Sequence, residues 1–153
     1  MKRSEVFYQI TLKTISVVFV ILFVYAATSK LIDFNTFKIQ LDRFPFISSY
    51  AKEIAYGIPF IEFCIAGLFF FQKYLLLAFY GSLSLMVIFT TYIVLVLNFS
   101  TSIPCSCGGI LENMGWMEHL IFNIVFVALA IVGILLETNY GYRAKNIRQY
   151  IKA

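Results

Sequence analysis

Two cysteines stand one serine apart in SIPCSCGG, residues 102–109, as Cys105 and Cys107. Pro104 fixes the entry to the turn, and Gly108 and Gly109 let the chain bend after it. Joining cysteines this close shuts almost no loop, so a bond between them gains little from chain entropy. It also forces a tight ring, because the favoured Cα separation is roughly 5.5–6 Å. Strain of that kind makes a disulfide labile, regulatory or catalytic. Three readings stay open: a redox-active pair, a metal clip, and inert thiols or a structural bond. Met114, Met117 and His119 follow within a dozen residues. Thiolates, thioethers and an imidazole suit copper(I).

His119 is the only histidine, and Asn123, four residues on, shares its helical face. A neutral imidazole near the pair can take the proton of a reacting thiol. The alternative is a histidine hydrogen-bonded at an interface. Glu62, in IPFIEFCIAG, lies eight residues into an apolar run, roughly 12 Å below Ile54 at the helical rise of about 1.5 Å per residue. A carboxylate at that depth is costly and ordinarily faces a bundle interior. Lys30 is the nearest cation by this reckoning. Glu62 therefore pairs with Lys30, stands as a neutral hydrogen-bond donor, or clamps two helices together. Gly57 and Pro59 precede it and loosen the helix there. Cys64, two residues beyond Glu62, points nearly the other way and reads as a small core residue.

The elements that must carry these groups are set by composition. Of 153 residues, 61% are hydrophobic and 13% charged, against about 45–50% and about 25% in an ordinary soluble domain. So much apolar surface calls for lipid as the solvent. The net charge of +4 does not indicate nucleic acid, because no basic stripe is interleaved with stacking residues. Four apolar segments approach the roughly 20 residues a span requires: 14–32, 54–71, 74–97 and 120–136. The first lacks the cleavage site of a secretory signal. Only Gln72 and Lys73 part the second from the third, which makes them a tight hairpin. The expected fold is all-α: one membrane domain over 1–153, a four-helix bundle with outer loops at 33–53 and 98–119.

Lys2, Arg3, Lys13, Lys73, Arg143, Lys145, Arg148 and Lys152 flank one side, eight of the 12 basic residues. Positive flanks stay in the cytoplasm. Both termini are therefore expected to be cytoplasmic, with the cysteine segment outside, where disulfides persist. In the first outer loop Phe34, Phe37, Leu41, Phe44 and Phe46 alternate with charge, and Pro45 interrupts any helix. This reads as a short amphipathic segment at the interface or a plain connector. Trp116 fits an aromatic belt.

ATSKLIDFNTF (27–37), GIPFIE (57–62), SIPCSCGG (102–109) and HLIFN (119–123) together resemble the MauE/DoxX family of redox-associated membrane proteins, over Lys30 to about Leu136. The resemblance implies a four-helix inner-membrane protein. Its MauE, or methylamine-utilisation, branch implies a part in maturing a periplasmic subunit rich in disulfides, through disulfide formation or transport. Its DoxX branch implies quinone-coupled sulfur or thiol chemistry. Cys105 and Cys107 would then be the redox-active disulfide, and Lys30 and Glu62 the polar inner shell. The resulting expectation is thiol–disulfide exchange with a thioredoxin-like or secreted client. By analogy with other membrane thiol oxidoreductases, a quinone would sit between helices near Lys30, Glu62, His119 and Asn123. Two rivals stand beside it: a copper-handling protein using the cysteine segment, and a non-catalytic assembly or transport factor.

Overall fold

The computed structural model describes residues 2–42, 48–99 and 115–152, and the described chain is helical with no strand. Helix α1 runs Lys2–Ile32, α2 Phe34–Asp42, α3 Ala51–Leu68, α4 Leu75–Phe99 and α5 Trp116–Lys152. Short 3-10 turns at Ser48–Tyr50 and Gln72–Tyr74 lead into α3 and α4. Among the described residues, three segments are long and apolar enough to cross a membrane: Val6–Ile32, Gln72–Leu95 and Met117–Asn139. Helix α3 has 18 residues and carries Lys52, Glu53 and Glu62. It nonetheless turns Phe60, Ile61 and Phe63 outward.

Helix ends differ from the apolar limits read in the sequence. Helix α1 starts at Lys2, not near residue 14, and α5 continues to Lys152. Backbone hydrogen bonding favours helix beyond the point where hydropathy stops, so apolar length underestimates helical length. The expected hairpin between the second and third spans is present, closed by backbone bonds from Phe70 to Gly67, Phe71 to Leu68 and Tyr74 to Phe71.

The segment between the first and second apolar runs holds α2, whose apolar residues recur at helical spacing. Phe34, Phe37 and Leu41 recur at helical spacing, and Leu41 packs with Ala51 and Ala55 of α3 in a small satellite core. The ring of Phe34 lies 4.4 Å from that of Tyr56. Helix α2 is almost continuous with α1: the Phe37 amide donates to Asp33 across the break, and the Asp33 amide to Ser29. Pro45 lies outside the described residues.

The most extensive contacts join α4 to α5 and α1 to α3; α1 also touches α5, and α3 touches α4. Phenylalanines dominate the interior. Phe19, Phe23 and Phe79 are fully buried. Phe19 stacks on Phe23 and Phe69, both at 5.9 Å, and meets Phe126 edge-on at 5.5 Å. Such pairs add roughly 0.5–1.5 kcal/mol each beyond area burial. Gly133 lets α5 approach α4, because a Cβ there would collide with the Phe79 ring. Buried Ser16 and Ser82 donate back to Leu12 and Ala78 carbonyls and so leave no orphan hydroxyl. Cys64 is exposed on α3 and is not in the core. It does point away from Glu62, as the spacing requires, but in a chain made for lipid the far side of the helix is the outer surface.

Candidate functional site

The aromatic core fills the half of the molecule near the start of α1 and the end of α3. The other half holds a cavity of about 280 Å³. It lies among the C-terminal part of α1, the α2 helix, the first half of α3, the second half of α4 and the first turns of α5. Its walls are mostly apolar, with Phe89, Ile93 and Phe122 among them. Lys30, Glu62, His119 and Asn123 all line it. Four polar residues expected to matter, drawn from three helices and 94 positions of sequence (30 to 123), thus share one cavity.

Lys30 and Glu62 form an ion pair, with Nζ 2.7 Å from Oε1. Glu62 is fully buried, and the Lys30 side chain is 20% exposed. The Lys30 ammonium also donates to the Ala26 carbonyl at 3.3 Å. It lies 5.3 Å from the Phe89 ring centre and 6.0 Å from that of Phe37, distances at which an aromatic face attracts a cation. A buried carboxylate needs a partner held this closely, since desolvation otherwise outweighs the attraction. The contact joins α1 to α3, so the pairing with Lys30 and the clamp between two helices are one and the same in this geometry.

His119 and Asn123 share one face of α5, one turn apart, as their spacing requires. The start of α5 is fixed just ahead of them. Gly115 donates its amide to Glu118 Oε2 at 2.8 Å, the reach-back half of a capping box, and its carbonyl accepts the His119 amide at 3.0 Å. Met117, a ligand in the copper reading, is 62% exposed. Cys105, Cys107 and Met114 lie outside the described residues. Segment 100–114, which carries them, joins the end of α4 to the start of α5, and both of those ends belong to the cavity's half of the molecule.

Several lining residues escaped the sequence reading, the polar ones being Tyr25, Ser29, Gln40 and Tyr92. Gln40 lies three residues after Phe37 and one before Leu41, on the face that α2 turns to the protein, and is 9% exposed. Of the two amides in this segment, Asn35 and Gln40, the second stands beside the anchors Phe37 and Leu41, and that was the available signal for it.

Apolar helices of spanning length around a buried ion pair make this a membrane protein. The chain matches the family described as MauE, methylamine utilisation protein MauE, over residues 8–136, and it belongs to that family. No curated protein and no solved structure matches it.

Proposed function

We propose that the chain is a multi-pass protein of the inner membrane in which α1, α3, α4 and α5 all span. Both termini would be cytoplasmic, with Cys105 and Cys107 outside. Its work on this reading is thiol–disulfide exchange that supports disulfide formation in an extracytoplasmic client, in keeping with a methylamine-utilisation accessory protein. A thiolate attacks the opposing disulfide, forms a mixed disulfide and expels one sulfur. For disulfide formation the attacking thiolate is the client's and the opposing disulfide is Cys105–Cys107. The client's second cysteine then displaces the chain's sulfur, which closes the client's disulfide and leaves Cys105 and Cys107 as the dithiol. Over the full cycle one partner's dithiol loses two electrons and two protons to the other partner's disulfide. His119 takes the proton that an attacking thiol must lose.

The observation that carries the reading is the cluster of Lys30, Glu62, His119 and Asn123 around one cavity, in the half of the molecule from which the cysteine segment leaves and to which it returns. A buried ion pair is weak evidence of stability. Intramembrane ionisable groups ordinarily mark a pathway or a binding site.

Trapping tests it. Cys107→Ala or Cys105→Ala chains should accumulate a reductant-sensitive adduct with a thioredoxin-like or secreted protein, and the doubly substituted chain should form none. Full client maturation with both cysteines replaced by serine would overturn the redox reading in favour of a non-catalytic factor. Stoichiometric copper on the purified chain, lost with the cysteines, would overturn it in favour of metal handling.

A further inference from the structure

Ring contacts fix the level at which the helices face one another. Phe19 of α1 lies 5.9 Å from Phe69, just past the end of α3, and 5.5 Å from Phe126 of α5. From that layer, away from the cavity, α1 reaches roughly 25 Å (residue 19 to 2) and α5 roughly 39 Å (residue 126 to 152), at about 1.5 Å per residue. The hairpin that carries Lys73 turns back only a few residues past the layer. Helix α5 has 37 residues, and a hydrocarbon core takes up about 20 of them. Residues 140–152 thus continue as helix past the apolar span Met117–Asn139 and outrun every other element at this end.

Charge divides the molecule along the same axis. The end beyond the ring layer holds eight of the 12 basic residues, but only Glu5 and Glu137 of the 8 acidic ones. The α5 extension carries Arg143, Lys145, Arg148 and Lys152 and no carboxylate. In helical register Lys145, Arg148 and Lys152 fall within one arc of roughly 60°, with Ala144, Ile147 and Ile151 within another. That is the pattern of a helix that meets a charged lipid surface. Tyr140 and Tyr142 stand where the helix leaves the apolar span, a place tyrosine favours at a membrane boundary. Lys13 and Lys73, at the same end, are exposed, and neither is ion-paired to a described carboxylate.

We infer that this end, led by the α5 extension, binds the anionic headgroups of phospholipids in the leaflet from which it emerges, so that acidic lipid gathers around the chain. Headgroup phosphates complement the cations, and the aliphatic arc suits the boundary with the acyl chains. The extension is tethered at the membrane, which presents that leaflet to it at an effective concentration no soluble acidic protein matches. The inference lies outside thiol exchange and stands independently of it.

The purified full-length chain, immobilised in detergent, is offered equimolar phosphatidylglycerol and phosphatidylcholine, and the retained lipid is counted by headgroup. The parent should keep phosphatidylglycerol over phosphatidylcholine by about fivefold or more, the worth of at least one cation near the surface. Sodium chloride at about 1 M should bring the ratio close to one. Combined Arg143→Gln, Lys145→Gln, Arg148→Gln and Lys152→Gln should do the same at low salt. Arg143→Lys with Arg148→Lys, which conserves charge, should keep the parent's preference, as should Lys38→Gln with Lys52→Gln at the opposite end. Equal retention of the two lipids by the parent, a preference that survives high salt or the fourfold substitution, or one lost with Lys38 and Lys52 overturns the inference. Retention of polyglutamate with no preference between the lipids assigns the surface to an acidic protein and overturns it as well.

Discussion

At the scale of single residues, Lys30 and Glu62 show how far depth along a helix can be read from sequence. Counting residues put a carboxylate well inside an apolar run and one cation within reach of it, and the two meet at 2.7 Å. Removing one partner strands the other. Glu62→Leu or Lys30→Met should therefore each cost about 3–5 kcal/mol, while the double substitution should recover much of that loss. A double-mutant cycle on thermal unfolding in micelles checks this; additive single losses would contradict it. Asn123 was legible because it repeats the face of His119. Gln40 was not, because its burial depends on α2 folding back over α3, and nothing local to residues 34–42 states where that helix docks.

Among elements, the α4–α5 pair depends on one small residue. A side chain at Gly133 must displace Phe79, which is fully buried against Phe19 and Phe69. Gly133→Val should thus destabilise the protein by roughly 1–3 kcal/mol, the usual cost of overpacking, and a lowered melting temperature is the readout. The cap of α5 makes a gentler prediction. Glu118→Ala frees the Gly115 amide and should cost about 0.5–1 kcal/mol, with faster amide exchange in the turn that carries His119. The long helices were legible as apolar runs, but their ends were not, since hydropathy records the lipid and not the hydrogen-bond ladder. Cys64 shows the same confusion at one position. Its direction followed from the helical period, whereas what lies in that direction depended on knowing that lipid, not protein, surrounds the helix.

For the whole molecule, the distribution of basic residues argues an orientation that labelling can check. With Cys64 replaced by serine, a membrane-impermeant maleimide should reach reduced Cys105 and Cys107 from outside intact cells. Labelling only after the inner face is opened would reverse the topology. Helix order and lipid affinity follow from composition, but the gathering of distant polar groups into one cavity required the packed structure, because it joins positions from Lys30 to Asn123. The same packing separates the molecule into two clasped couples, α1 with α3 and α4 with α5, joined by lighter contacts. Lys30 and Glu62 belong to one couple, His119 and Asn123 to the other. The line where the couples meet is closed at one end by Phe19 against Phe79 and Phe126 and opens at the other into the cavity, so charge and imidazole look at each other from separately anchored walls.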